Sequence, residues 1–255
     1  MTIQSIPGRI AAALALVSFA GAVGATGIAG HGTWQTTLLP RDINGDGVID
    51  AYYDTTLKIT WLANWNVNGG MTWNDAMAWA AGLNVYGLVG WRLPVMSDTG
   101  TIGCNYSYSG TDCGYNVDTS TSEIAHMWYV TLGGKPLYDT AGNNTGYYTG
   151  PPTANDANFV GMQYGYYWIG TSYKGLPPGR AWSFSTNVGQ QGTYALDGAN
   201  GGLFAVAVHD GDVQAIPEPA TYGLLLAGIM VISASMRRSG RVRSGTRETC
   251  GWDQI

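Results

Sequence analysis

The chain carries one pattern that could hold a metal ion, in the segment RDINGDGVIDAYYD at residues 41–54. Side chains with oxygen atoms recur there at short intervals around Gly47, which is typical of the first half of a calcium loop. The twelfth residue of such a loop should be a glutamate, and here it is Tyr53. The segment therefore predicts either a calcium site or a plain turn built on its Asn-Gly and Asp-Gly dipeptides. The candidate calcium ligands are Asp42, Asn44, Asp46 and Asp50.

Two cysteines lie at the ends of a polar loop, CNYSYSGTDC, that runs from Cys104 to Cys113. No histidine or further cysteine stands beside them at metal-binding spacing. In an oxidising compartment the pair predicts a disulfide that closes a small loop. The third cysteine, Cys250, lies near the C-terminus, and we assign it no role.

The three histidines, His31, His126 and His209, are the residues that acid–base catalysis would use. His209 precedes Asp210, but neighbouring residues of a strand point to opposite faces and make a poor catalytic pair. The sequence contains no Gly-x-Ser-x-Gly, His-Glu-x-x-His or phosphate-loop motif. We therefore expect a protein that is not an enzyme and that has no cofactor, apart from calcium if the acidic loop binds it.

Tyrosines are concentrated in the segments that we expect to be loops. An aromatic ring can stack on the apolar face of a sugar while its hydroxyl stays polar, so these residues suggest binding of extracellular polysaccharide. The alternative is that several of the rings fill the core of a loop-rich fold. The tyrosines concerned are Tyr106, Tyr108, Tyr115, Tyr147, Tyr148 and Tyr173.

The charge balance excludes one class of partner. Residues 26–214 contain six basic and 14 acidic residues, a net charge near −8. Binding of phosphate backbones needs a basic face, so we expect no nucleic-acid partner.

Periodicity and turn residues predict the elements that position these side chains. Residues 48–53 and 57–62 suit a β-hairpin, and a helix is predicted to begin after the cap residue Thr72. A second helix is predicted from Ser120, with Glu123 completing its capping box. Strands at both ends of the domain with helices between them predict an α+β fold with a short antiparallel sheet, two helices and long loops. The later strands are predicted at residues 166–171, 181–185 and 203–208.

The first 25 residues predict a secretory signal peptide. Arg9 supplies a positive charge, residues 10–24 form an apolar run, and Val23-Gly24-Ala25 fits the rule of small residues at the cleavage site. Ala20-Gly21-Ala22 is an alternative site. Export would place residues 26–214 in an oxidising compartment, which suits the predicted disulfide.

A second apolar run lies near the other end of the chain. Residues 220–236 carry no charge and are just long enough to cross a bilayer as one helix. Arginines follow directly and continue into a basic tail at residues 239–255, and such charges hold that end in the cytoplasm. Before the span, two prolines fix an extended backbone that a processing enzyme could recognise. The residues concerned are Pro217, Glu218, Pro219, Arg237 and Arg238.

This order at residues 215–238 resembles the PEP-CTERM sorting signal of bacterial exported proteins. The resemblance implies a membrane-embedded exosortase as a partner, which cleaves near the motif and releases or re-anchors the protein. It also implies an intermediate anchored in the inner membrane and a final place at the cell surface or outside the cell. Such signals end soon after the arginines, whereas this chain continues to Ile255.

Residues 26–214 carry a second resemblance. The order NGDG, TWNDAMAWA, GWRLP, YYWIGTS and AWSFS is similar to the Lcl C-terminal-like domain, a family of unknown function. The resemblance implies a C-type-lectin-like or formylglycine-generating-enzyme-like fold. Its most specific motif has a structural role and consists of Trp91, Arg92, Leu93 and Pro94.

Three hypotheses for function follow. The first is an exported surface or matrix protein that binds polysaccharide through aromatic loops. The second is a purely structural component of an extracellular matrix. The third is a calcium- or metal-dependent enzyme of the formylglycine-generating-enzyme-like fold, which the absence of a catalytic motif disfavours.

Overall fold

The structure is a computed structural model that describes residues 32–99, 108, 112–146, 159–198, 202–213, 227–230 and 232. Within these ranges the chain forms an α+β fold with two antiparallel sheets and short helices, as the sequence predicts at the level of fold class. Many of the connections between these elements have no regular secondary structure.

The first sheet has five strands in the order β1-β2-β3-β9-β4. The predicted hairpin forms its centre, because β2 pairs with β3 and Tyr52 faces Trp61. The chain returns more than a hundred residues later to insert β9 between β3 and β4. The strands are β1 (Leu38–Arg41), β2 (Ala51–Asp54), β3 (Ile59–Leu62), β4 (Trp91–Arg92) and β9 (Val208–Asp210).

The second sheet has four strands in the order β5-β8-β7-β6. The pairs β6–β7 and β7–β8 are antiparallel, and the β6–β7 pair contains an irregularity between Trp168 and Ser172. The strands are β5 (Gly114–Tyr115), β6 (Tyr166–Ser172), β7 (Arg180–Ser185) and β8 (Gln190–Ala195).

Three helices accompany the sheets. α2 (Trp73–Gly82) begins where the sequence predicts, since the Thr72 hydroxyl accepts a hydrogen bond from the Asp75 amide. α2 turns Ala76 and Ala80 into the core. The other two are α1 (Trp34–Thr37) and α3 (Glu123–His126), and α3 continues as a π-helical turn over Met127–Thr131.

The core is rich in large aromatic side chains. Trp61 and Trp65 stack with their ring centroids 5.5 Å apart. Phe159 and Tyr167 close around Trp65 at 5.0 and 5.4 Å. Each of these rings is at most 1 % exposed, so tertiary packing rather than local propensity stabilises the short strands.

Three details of the predicted elements are wrong. The second helix is capped by Ser122 and not by Ser120, because Asp118 takes both the hydroxyl and the amide of Ser120 as donors. One short sheet was expected, and two are present. The strand predicted at 203–208 forms only at Val208–Asp210.

The apolar run 203–208 connects the two sheets. Phe204 bridges to Tyr167 in β6, and Val208 pairs with Trp61 in β3. The residues between them are almost fully buried, which explains why the run is apolar at every position and not alternating.

The predicted terminal segments lie almost wholly outside the described residues. The signal peptide 1–25, the motif Pro217–Pro219, the arginines and the tail 239–255 are not described. Residues 227–230 and 232 of the predicted span 220–236 are helical. No helix among the described residues is long and apolar enough to cross a membrane.

Candidate functional site

The acidic loop between β1 and β2 is held by its own hydrogen bonds. The Asp42 carboxylate accepts from the amides of Gly45 and Gly47 at 2.7 Å each and from the Asp46 amide at 3.2 Å. Asn44 donates from its Nδ2 to Asp46 over 2.9 Å and accepts from the Asp46 amide. Gly45 and Gly47 adopt positive φ angles of 79° and 89°, which their lack of a side chain allows.

Asp50 joins the far end of this loop and accepts a hydrogen bond from the Ile43 amide over 2.8 Å. Burial, and to a smaller degree the charges of Asp46 and Asp42, raise the pKa of the Asp50 carboxyl. The structure therefore brings the acidic residues of the predicted calcium loop into electrostatic contact. Across the described ranges, no group of three or more histidine, cysteine, aspartate or glutamate side chains could hold a metal ion. Calcium binding stays a prediction of the sequence.

Cys113 is disulfide-bonded and 3 % exposed. Its predicted partner Cys104 lies outside the described residues. The bonded state of Cys113 suits an oxidising compartment.

Arg92 of the Trp91–Pro94 motif ties three elements together. Its Nη1 and Nη2 atoms donate to the two carboxylate oxygens of Glu123 at the start of α3, over 2.8 and 2.9 Å. Its Nε donates to Asp210 in β9 over 3.0 Å. Burial by itself would lower the pKa of the Arg92 guanidinium. The hydrogen bonds to Glu123 and Asp210 and the charges of these residues raise the pKa by more than burial lowers it, so it lies above its usual value.

The other residues of the motif are structural as well. Trp91 and Leu93 are 2 % and 1 % exposed, and the Pro94 carbonyl accepts from the Gly170 amide in β6. A bidentate arginine with buried neighbours is a geometry that fixes elements in place and offers no free reactive atom.

Two of the three histidines lie within the described ranges. His209 packs edge-on against the Trp91 ring at 5.6 Å, while the carboxylate of its neighbour Asp210 bonds Arg92. His126 ends α3, and its Nε2 atom is buried. His31 lies outside the described residues.

Three tyrosines form a cluster at the surface, which we call the tyrosine triad: Tyr108, Tyr115 and Tyr138. Tyr108 and Tyr115 are nearly parallel at 6.0 Å, and Tyr138 contacts them at 5.3 and 5.1 Å. Tyr108 is 40 % exposed. Gly142 lies under its ring, and a methyl group there would come within 3.0 Å of the ring. The close fit holds Tyr108 in place while leaving part of it in solvent.

Asn116 connects the backbone segments that carry two tyrosines of the triad. Its Nδ2 group donates to the carbonyls of Tyr108 and Tyr138, over 2.7 and 2.9 Å. Its backbone has a positive φ of 52°, a conformation that asparagine tolerates better than most residues. Its amide donates to the Tyr129 hydroxyl, which donates in turn to the Gly189 carbonyl. Burial raises the pKa of Tyr129, so that this hydroxyl keeps its proton and remains a donor.

The sequence identifies this site only in part. Tyr108 and Tyr115 are among the predicted loop tyrosines, although Tyr115 lies in β5 and is half-buried. Tyr138 is missed because it follows Leu137 in a segment with no motif. Tyr173 is buried at 9 % exposure and packs edge-on against Trp182, so that it belongs to the core. The other three tyrosines, Tyr106, Tyr147 and Tyr148, lie outside the described residues.

Comparison with protein-family models, curated proteins and solved structures found no match to this chain.

Proposed function

We propose that this is an exported, non-enzymatic protein of the bacterial cell surface or extracellular matrix that binds polysaccharide. The observation that carries the proposal is the tyrosine triad. Tyr108 is 40 % exposed and is held in a fixed arrangement with the half-buried Tyr115 and Tyr138, and aromatic rings suit the apolar faces of sugars. Asn116 fixes the loops that carry them, which lowers the entropy cost of binding.

Sorting of the protein rests on its C-terminal sequence. We propose that an exosortase recognises Pro217–Pro219 after the apolar span 220–236 has held the chain in the inner membrane. The stiff proline-flanked motif and the arginines after the span support this proposal. Mass spectrometry of both termini of the protein from the cell surface and the medium tests it. A mature C-terminus beyond Arg238 in every fraction would overturn it.

For the domain itself we propose a C-type-lectin-like fold of the Lcl C-terminal-like kind. The motif order around Trp91–Pro94 supports it, as do two antiparallel sheets connected by long irregular segments. An experimental structure of the domain would decide the matter.

Binding is tested by pull-down on polysaccharide secreted by the producing cells. We expect the natural protein to be retained, and a variant with Tyr108→Ala and Tyr138→Ala to lose about tenfold in affinity, since each ring contact adds about 1 kcal/mol. The matched control is Tyr164→Ala, another tyrosine with half of its surface exposed. Equal retention of all three proteins would refute the role of the triad.

A purely structural role is the second candidate. Such a role would require contacts between copies of the protein. Self-association in analytical ultracentrifugation, with no retention on polysaccharide, would favour this role over the first. The enzyme alternative requires metal-dependent activity that is lost on substitution of His126 or His209.

A further inference from the structure

A groove of about 460 Å³ opens beside the acidic loop, away from the residues of the tyrosine triad. Its walls are mostly apolar, and two of the valines that line it, Val67 and Val160, are 45 and 64 % exposed. A volume of this size and walls of this kind are typical of sites for small ligands. Tyr86 stands at its rim with 54 % of its surface exposed.

Tyr86 holds this position at a conformational cost. It has a φ of 51°, and together with Gly87 at 92° it forms a two-residue turn between Val85 and Leu88. Such turns favour asparagine or glycine, and a side chain with a bulky ring costs about 1 kcal/mol there. Strained residues of this kind persist at binding and catalytic sites more often than elsewhere.

Three polar groups line the groove in fixed orientations. The Oδ1 atom of Asn84 accepts from the Gly87 amide over 2.7 Å, and that of Asn64 accepts from the Asn66 amide over 2.9 Å. Each bond occupies the Oδ1 atom and fixes the orientation of the side-chain amide. Neither Nδ2 group has a hydrogen-bond partner within the described ranges. Asp50 adds a carboxylate acceptor.

These groups restrict the class of ligand. A purely aliphatic ligand would bury the two amides and the carboxylate without partners, at a cost that apolar contact would have to offset. A polyanion would meet Asp50 and its acidic neighbours, and none of the described residues that line the groove is a lysine or arginine. A neutral sugar matches both requirements, because it has an apolar face for Tyr86 and hydroxyl groups that can donate and accept.

We propose that this groove is a second saccharide site, in which a neutral sugar ring stacks on Tyr86 and bonds to Asn64, Asn84 and Asp50. The proposal rests on the proposed function only for the class of ligand. Its residues are separate from the tyrosine triad, so the two sites can be tested apart.

The test uses calorimetric titration of the protein recovered from the exporting cells. The probes are three neutral tetrasaccharides, namely cellotetraose, mannotetraose and N-acetylchitotetraose, with a tetramer of galacturonate as the anionic comparison. We expect at least one neutral probe to bind and the anionic probe to bind more weakly. Equal or tighter binding of the anionic tetramer would overturn the proposal, and so would the failure of all three neutral probes.

The deciding variant is Tyr86→Asn, because asparagine suits the turn. We expect Tyr86→Asn to unfold at a higher temperature than the natural protein and yet to bind the neutral probe about tenfold more weakly. Tyr86→Phe keeps the ring and should retain the affinity. Tyr164→Asn, which alters an exposed tyrosine that does not line the groove, should leave it unchanged.

The tyrosine triad provides the comparison with the proposed function. Tyr138→Ala removes one ring of the triad, and binding of the neutral probe in the groove should still depend on Tyr86 in that background. Loss of probe binding with Tyr138→Ala, together with full affinity in Tyr86→Asn, would overturn the groove and leave the triad as the saccharide site. Failure of the proposed function would appear separately, as absence of retention on the secreted polysaccharide.

Discussion

Arg92 and Glu123, 31 residues apart in sequence, form a two-armed ion pair that connects β4 to the first turn of α3. The Glu123 carboxylate also accepts from the Val95 amide over 2.7 Å, and Arg92 continues to Asp210 in β9. The pair is mostly removed from solvent, with 29 and 18 % of the two side chains exposed. It therefore stabilises the packing of elements that are distant in sequence.

We predict that Arg92→Met lowers the free energy of unfolding by about 3 kcal/mol, because it leaves Glu123 partly buried without its charged partner. Arg92→Lys should cost about half as much, since lysine keeps the charge but not the two-armed geometry. Urea denaturation measures both values. The control is Arg41→Met, which breaks a pair of similar burial with one carboxylate, Asp212, and should cost less than Arg92→Met, which loses two. Equal losses at the two arginines would contradict the role of Arg92.

A buried amide predicts a second loss of stability. Gln191 is fully buried, accepts from the Ser122 hydroxyl and donates to the Asp112 carbonyl, each over 2.7 Å. Gln191→Leu leaves the Ser122 hydroxyl and the Asp112 carbonyl without these hydrogen bonds. We expect the free energy of unfolding, measured with denaturant, to fall by about 3 kcal/mol. Gln190→Leu, one position away in β8, should change the value by less than about 1 kcal/mol. A mild effect of Gln191→Leu would show that these partners find other hydrogen bonds.

The acidic loop gives a test that separates a turn from a calcium site. Asp42→Ala removes the acceptor for three backbone amides, so we expect a loss of about 1 kcal/mol without added calcium. Asp42→Asn keeps one acceptor oxygen and should lose less. A rise in the melting temperature of the natural protein with calcium, absent in Asp42→Ala, would confirm the metal site predicted from the sequence. An unchanged melting temperature would identify a turn.

The pH dependence of stability should reflect the raised pKa of Asp50. Its folded-state pKa lies above the ordinary value of 3.8, chiefly because of burial. The folded protein therefore takes up the proton at a higher pH than the unfolded chain does. Whatever stability Asp50 gains from this proton is present below the unfolded value and is lost as the pH rises through the folded one.

We therefore expect the natural protein, relative to Asp50→Asn, to become less stable as the pH rises through the folded-state pKa of Asp50. Asp139 is the matched control, because its bonds with the side chain and the amide of Asn143 lower its pKa. For Asp139→Asn the difference should run the other way: the stability that Asp139 provides is lost as the pH falls below 3.8. Denaturation at several pH values checks both, and parallel curves for the two variants would refute the assignment.

The α+β class, α2 and the central hairpin could be predicted from the sequence because their signals are local. Thr72 and Asp75 cap α2 within one turn of chain, and the pattern at residues 57–62 predicts a strand that pairs with its neighbour in sequence. The same holds for the acidic loop, whose hydrogen bonds join residues at most nine positions apart. The terminal signals are likewise read from short runs of composition.

Tertiary structure alone decided the rest. Ser120 has the capping-box spacing to Glu123, yet Ser122 caps α3, and its hydroxyl also donates to Gln191 in β8. The insertion of β9 between β3 and β4 and the division into two sheets depend on contacts between segments far apart in the chain. The tyrosine triad joins Tyr108 to Tyr138, and the groove joins Tyr86 to Val160. Local propensity carries no information about such pairs, since the free energy that selects them comes from burial shared by many residues at once.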